Sequence, residues 1–412
     1  MLRVVNPFAI LVCVLVALCQ AESGDWPAWR GPSGLNIAVG KPAPTQWNET
    51  DNIVWKVPVE GRGHSSPILV GELLFLTTAD EDTEVQSVLA FSKQTGEQAW
   101  KTQVSEGGFP DRIHSKNTHA TPTIASNGTA LFAVFCHHDQ VHLAALGLQG
   151  DLLWQKPVGK YQPDRYKFGY APSPALHDGK VFVAAEFEQG WLGAFSQADG
   201  SQLWKKPREE TSYSSPIVAQ IAGKSQLLLC GGDHVTAYDP ESGETIWSVD
   251  GTTAATSGTM SWDNGVVYAN GGYPDGQTIA VKADGSGEIL WTNREKAYEQ
   301  SLLVYNGYVY HVNDTGIAFC WDAVSGEEMW KRRLGGPISA SPLASGDCVY
   351  FANERGVVFV VKATPEQFEQ VAENRLGDEI FATPIVSQGR MYARYADSSG
   401  GSRQEFLVCI GE

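Results

Sequence analysis

The chain has 412 residues, 42% of them hydrophobic, with 43 glycines and a formal net charge of −17 at a pI near 5.0. That glycine and hydrophobic content fits a folded, turn-rich protein and excludes a disordered one. The acidity excludes a nucleic-acid binder, because phosphate recognition needs a basic surface; its simplest meaning is solubility.

The N-terminus reads as a targeting segment over residues 1–21. Arg3 precedes an apolar run from Phe8 to Leu18 that is too short to span a bilayer as a helix. Cys19-Gln20-Ala21 supplies small residues for signal-peptidase cleavage before Glu22. A lipid anchor at Cys19 is the weaker alternative, because Leu18 sits where a lipobox has a small residue. The mature chain is therefore expected to be exported, to the periplasm or beyond, with no transmembrane span. Beyond Cys13 and Cys19 five cysteines remain, Cys136, Cys230, Cys320, Cys348 and Cys409. They are widely spaced and odd in number, which excludes a complete disulfide framework and points to buried small hydrophobes; one bridge stays open.

Residues 22–52, with Trp26-Pro27-Ala28-Trp29-Arg30-Gly31-Pro32 and further prolines up to Trp47, read as an arm packed on the body. Ile53-Val54-Trp55-Lys56-Val57 is a strand without a preceding hairpin. From His64 a unit recurs. It opens on a small-residue triplet ending in Pro, such as Ser65-Ser66-Pro67 or Ala120-Thr121-Pro122, followed by a Gly or Asn/Asp-Gly turn and an apolar strand. A third strand then enters a Gly-x-x-x-Trp hairpin at Gly96/Trp100, Gly150/Trp154, Gly200/Trp204, Gly243/Trp247, Gly287/Trp291 and Gly326/Trp330. Two units place Met260 and Leu302 where the Pro falls. β-Branched and aromatic runs separated by turn signals mean all-β. Four strands per roughly 40 to 50 residues is the period of a propeller blade.

First strands are expected near residues 64, 119, 170, 213, 256, 300, 339 and 381, which gives eight blades over 53–412. The seventh unit carries Thr364-Pro365-Glu366 in place of Thr-Gly-Glu, with Leu376 near the Trp position and a fourth strand over about 371–376. The chain stops after a third strand, Phe406 to Ile410. The spare strand at about 53–57 is therefore expected to complete the last blade and close the ring.

The Ala-x-x-x-x-Thr/Ser-Gly-Glu-x-x-Trp box at Ala90 to Trp100, with copies ending at Trp247 and Trp330, and the Ser-Ser-Pro triplets resemble the pyrroloquinoline-quinone (PQQ) type repeat family of β-propellers. Trp26-Pro27-x-Trp29-Arg30-Gly31-Pro32 and the stretch Ala372 to Glu379 sharpen the resemblance toward exported PQQ-like propellers of planctomycete-type bacteria. The resemblance implies that Trp100, Trp154, Trp204, Trp247, Trp291 and Trp330 dock between neighbouring blades. Two branches of the superfamily imply different functions. Quinoprotein dehydrogenases hold PQQ with Ca²⁺ in the channel, under a vicinal Cys-Cys pair and beside a catalytic Asp. This chain has no Cys-Cys pair and no acid that maps onto those roles. The propeller lipoprotein of the outer-membrane β-barrel assembly machinery is a scaffold of similar length. No bound cofactor is expected. The expected role is a non-catalytic, monomeric scaffold for an envelope protein or small ligand; a PQQ- or metal-dependent oxidoreductase is the alternative.

Loops entering first strands and those joining second to third strands share one face, where binding concentrates on closed β-scaffolds. Candidates there are Arg62, His64, Lys116, Asn117, His119, Tyr170, Tyr213, Glu299, Gln300 and Phe381. Of nine histidines, five fall in one blade: His114, His119, His137, His138 and His142. With Asp139, the first four are candidate ligands for Zn²⁺ or Cu²⁺, although no spacing among them matches a ligand motif. Ordinary solvated loop positions are the plain alternative for all of these residues.

Overall fold

The computed structural model describes residues 24–411. The targeting segment, with its cleavage site and Cys19, lies outside the described residues. All regular structure in the described part is β. Eight antiparallel sheets follow one another along the chain. Seven have four strands, and one has a fifth strand from the arm. Blade 1 comprises Ile68–Val70, Leu73–Asp80, Val85–Ser92 and Gln98–Glu106. Blades 2 to 7 span 125–160, 175–207, 217–250, 261–293, 303–333 and 343–375. Blade 8 takes Ile385–Ser387, Arg390–Asp397 and Gln404–Ile410, and its outer strand is Ile53–Val59 from the other end of the chain. Trp55 pairs with Cys409 and Val59 with Glu405 in that closing ladder. The ring thus shuts with no sheet edge left open at the seam.

The hairpin glycines and tryptophans form one joint repeated around the ring. At five joints the Trp packs on the turn glycine of the next blade: Trp55 on Gly96, Trp100 on Gly150, Trp154 on Gly200, Trp204 on Gly243 and Trp291 on Gly326; at Gly287 the neighbour is Val249, and the turn facing Trp330 has no glycine. A Cβ on Gly96 would lie 2.5 Å from the Trp55 ring, and one on Gly150 would lie 2.7 Å from Trp100. Both glycines also have positive φ, +74° and +92°, so side chain and backbone together demand glycine. Each indole N–H then donates to a backbone carbonyl of that next turn. Trp55 reaches Lys93, Trp100 Leu148, Trp154 Gln197, Trp204 Pro240, Trp291 Ala323 and Trp330 Thr364, at 2.8–3.3 Å. Trp247 is the exception: it donates to Gln226 Oε1 at 2.9 Å, and Gln226 Nε2 passes the link to the Ala283 carbonyl at 2.8 Å.

Three details differ from the sequence expectation. The Pro-terminated triplets precede the first strands, which start at Ile68, Ala125, Ala175 and so on. Their backbone N–H groups serve a neighbouring blade instead of the ladder. In blade 7 the fourth strand is Gln370–Arg375, and Ala372 stands opposite Val360, as Trp100 stands opposite Ala90. Ala372, not Leu376, therefore holds the Trp position. The space is filled from elsewhere: Trp47 of the arm is buried in the same cluster as Tyr350, Val360 and Ala372. Asn374 clasps the arm there, accepting from the Trp47 N–H at 2.9 Å and donating to the Thr45 carbonyl at 3.0 Å. The closing strand runs two residues further than expected, to Val59.

All five cysteines in the described part are free and buried. Burial pushes the thiols of Cys136, Cys230, Cys320 and Cys348 up to about 12, so they behave as small apolar groups. No helix among the described residues is long and apolar enough to cross a membrane.

Candidate functional site

The arm crosses the channel. Trp26 pairs with Leu69 of blade 1 through both backbone hydrogen bonds (2.8 and 2.9 Å), and the Pro27 carbonyl accepts from Ser126 of blade 2. On the far side Trp29 Nε1 donates to Thr259 Oγ1 of blade 5 at 2.9 Å. Arg30 is buried, and its guanidinium donates to the carbonyls of Gly34, Leu35, Thr259 and Leu302 and to Ser261 Oγ. With no carboxylate partner among the described residues, it is pushed down to about 9 by burial. Ile37–Ala38 then lies parallel to the first strand of blade 7.

Above the arm sits a ring of hydroxyls at equivalent positions of all eight blades: Ser66, Thr123, Ser173, Ser215, Thr259, Ser301, Ser341 and Thr383. In seven links the backbone N–H of one donates to the hydroxyl oxygen of the next at 2.9–3.1 Å, and Thr383 closes the circle onto Ser66. The eighth, from Ser215 to Thr259, is not made among the described residues; the Thr259 oxygen accepts from Trp29 instead. This explains the small residue before the Pro in the triplets of blades 1, 3, 4, 7 and 8; in blade 2 the ring residue is Thr123, one position beyond the expected Ala120-Thr121-Pro122 triplet. A short hydroxyl is needed at each position to satisfy a buried N–H of the preceding blade.

Trp29 and this ring floor a cavity of about 400 Å³ that opens on the loop face. His64, Lys116, Asn117, Tyr213, Glu299 and Phe381 line it, as does His114. His64 stacks on Phe381 at 4.3 Å between centroids. Burial, with Arg62, Arg394 and Arg403 nearby, holds its imidazole well below the ordinary range, so it is neutral. Asn117 donates to the Phe168 carbonyl at 2.7 Å and orders the loop that carries Phe168. Lys116 reaches over to blade 7 and meets Glu354 at 2.7 Å, and Ser339 donates to the same carboxylate oxygen at 2.6 Å. Burial works against the Lys116 charge, yet the Glu354 hydrogen bond with Glu299 and Asp314 raises its pKa overall.

Four of the candidates do not line the cavity. Arg62 turns outward to Glu81 (3.5 Å) and the Ser115 carbonyl. His119 stacks on Phe109 at 4.1 Å. Tyr170 is buried, with its hydroxyl donating to the Ala184 carbonyl at 2.8 Å, and Gln300 is buried with its amide on the Ile338 carbonyl. Tyr170 thus serves its own blade, whereas Gln300 and Arg62 reach toward the segments entering the next one. The cavity instead recruits Trp29, Phe168, Tyr273, Lys296 and Tyr298. Tyr298 adjoins Glu299 and lies within reach of sequence reasoning; Trp29 was legible as part of an arm packed on the body, but not as a lining residue of the mouth.

The candidate metal ligands do not converge. Among the described residues no group of three or more His, Cys, Asp or Glu is placed to hold a metal ion. His114 faces the channel and His119 stacks away from it, while Asp139 accepts from Gln162 at 3.3 Å. His137 and His138 do meet, Nδ1 to Nδ1 at 3.0 Å, and His142 stacks on His137 at 3.7 Å. Burial and the two neighbouring imidazoles push His137 down to about 4.

Comparison with known proteins extends the picture. The family model described as outer membrane protein assembly factor BamB matches residues 30–220, 149–332 and 275–365, overlapping stretches that together cover 30–365. The BamB of Burkholderia pseudomallei (strain K96243) is 32% identical over 205 residues, 48% of this chain and 47% of that protein. The BamB of Yersinia pestis is 26% identical over 259 residues, 60% of this chain and 61% of that protein. The chain thus spans only about half to three fifths of the length of these relatives. Among solved structures, BamB from Moraxella catarrhalis superposes with a TM-score of 0.61 at 14% identity, covering 86% of this chain and 96% of that one. A europium-containing methanol dehydrogenase superposes at 0.69 and 12% identity, covering 94% and 99%. At such identities both likenesses concern the fold alone. The residues matched by the family model, together with the observed ring of eight blades, show that the chain belongs to the BamB family of PQQ-like repeat propellers.

Proposed function

We propose that this protein is an exported, non-catalytic propeller that works as a monomeric binding scaffold in the cell envelope, with the channel mouth as its binding surface. One observation carries the reading. The channel is floored by the protein's own arm, leaving a shallow aromatic and polar cavity on the face where the loops differ between blades. A rigid closed ring holding variable loops suits recognition. The named activity of the relatives, outer membrane protein assembly, supports an envelope protein as partner.

The residues of the mouth do not fit PQQ with Ca²⁺. Calcium takes six to eight oxygen ligands, carboxylates prominent among them. Here Glu354 is engaged by Lys116 and Ser339 and Asp314 by Lys296, which leaves Glu299 as the one uncommitted carboxylate of the three, too few oxygen donors for calcium. Titrating the purified protein with PQQ and CaCl₂ should give no saturable difference spectrum, and no dye-linked oxidation of alcohols or sugars should follow. Saturable binding with turnover would replace the scaffold reading by the oxidoreductase one.

A further inference from the structure

Glu299 is the one carboxylate in its quarter of the mouth that has no ion-pair partner among the described residues. Lys116 is taken by Glu354 at 2.7 Å and Lys296 by Asp314 at 3.3 Å. Three carboxylates therefore face two ammonium groups, and the surplus negative charge falls on Glu299. Burial raises its carboxyl, against the Lys116 charge, while Glu354 and Asp314 add to the rise. A half-buried acid in this condition is stabilised in its charged form by an incoming cation.

The surroundings suit a cation of a particular kind. Phe168 and Tyr213 lie 5.8 Å apart between centroids, and Tyr166 links Phe168 (5.8 Å) to Tyr273 (5.7 Å). Tyr273 is 43% exposed, and Trp29 forms the floor. Aromatic faces carry a negative quadrupole that attracts weakly hydrated cations when water is excluded. With one free carboxylate the site has too few oxygen donors for a bare metal ion. An anion would meet Glu299 with both lysines already paired, and a neutral polyol would leave Glu299 uncompensated.

We infer that the channel mouth binds an organic cation, an ammonium or guanidinium group on an apolar stem, between Glu299 and the aromatic rings of Phe168, Tyr213, Tyr273 and Tyr298. The net charge of −17 draws such groups toward the protein. The inference deepens the scaffold reading and rests on the mouth being the binding face.

The test is calorimetric titration of the full mature protein with choline, with its neutral isostere 3,3-dimethylbutan-1-ol, and with N-acetyl-lysine methylamide. Methyl glucoside and acetate serve as polyol and anion arms. Choline, the lysine amide or both should bind saturably, with the neutral isostere at least about tenfold weaker than choline if choline binds. Preference for the lysine amide marks a peptide side chain as the source, and preference for choline a free small molecule. Glu299→Gln should weaken the cation about tenfold and leave the isostere unchanged. The comparison of choline, lysine amide and isostere on the unmodified protein stands even if that variant misfolds. Equal binding of choline and isostere, saturation only by methyl glucoside or acetate, an unchanged affinity in folded E299Q, or no cation binding would each overturn the inference. A protein that binds no cation yet cross-links to a partner through the mouth would leave the scaffold reading standing.

Discussion

Protein lacking residues 24–59 is expected to fail to form a cooperative fold, although every strand of blades 1 to 7 other than the short arm strand remains in the chain. Blade 8 would keep three strands and expose the Gln404–Ile410 edge that Ile53–Val59 now covers. The Gly96 platform of blade 1 would lose Trp55, and the blade 7–8 junction would lose Trp47. The channel would be emptied of Trp26, Trp29 and Arg30. Truncating one large buried aromatic costs roughly 3–5 kcal/mol, and a whole domain is stable by only about 5–15 kcal/mol. Losing four tryptophans and the closing strand together exceeds that margin. Near-ultraviolet circular dichroism during a thermal ramp should show no sigmoidal transition for the truncated chain. A transition within a few degrees of the full-length protein would mean that the ring does not depend on its N-terminal strand.

Arg394→Ala should destabilise the protein by about 3–5 kcal/mol, the range for breaking a buried ion pair from one side. Arg394 and Glu405 are each 2% exposed and meet at 2.5 Å. The pair also stitches the seam of the ring. Arg394 Nη1 donates to Ser65 Oγ (3.1 Å) and the Thr77 carbonyl (2.7 Å) of blade 1, and Glu405 accepts from the Gly63 N–H at 3.2 Å. Removing the guanidinium leaves Glu405 buried with only Arg403, at 2.9 Å, to balance it. The double variant R394M/E405L removes both charges and should recover most of the loss. Urea unfolding midpoints at a common m-value separate these outcomes. A single variant within about 1 kcal/mol of the parent would show that the seam is held by packing alone.

What could be read from the chain followed its periodicity. The Gly-x-x-x-Trp step is a local signal repeated in blades 1 to 6, where most joints set a ring on one side against a bare backbone on the other. Together with the recurring first-strand signals it counted the blades, and Trp55 without a hairpin marked the closing strand. The arm obeys no period. Its path is set by partners such as Thr259, 230 residues from Trp29, and no local pattern encodes such a pairing. The same holds for Lys116 and Glu354, 238 residues apart. Of the mouth residues, those flanking a triplet, such as His64, Tyr213 and Phe381, were legible from register. Phe168 and Tyr273 sit on loops whose sequences differ from the equivalent loops of other blades, so repetition gave no handle on them. At blade 7 the missing Trp was visible, but its replacement by Trp47 of the arm was not.

Site-specific photo-cross-linking in intact envelopes addresses the binding role most directly. A photoreactive residue at Tyr273, on the mouth and 43% exposed, is compared with one at Leu203, on the outer strand of blade 3 and 50% exposed. Scaffolding through the mouth predicts a discrete adduct from position 273 and none from 203. An adduct from 203 alone, or none from 273, would contradict it.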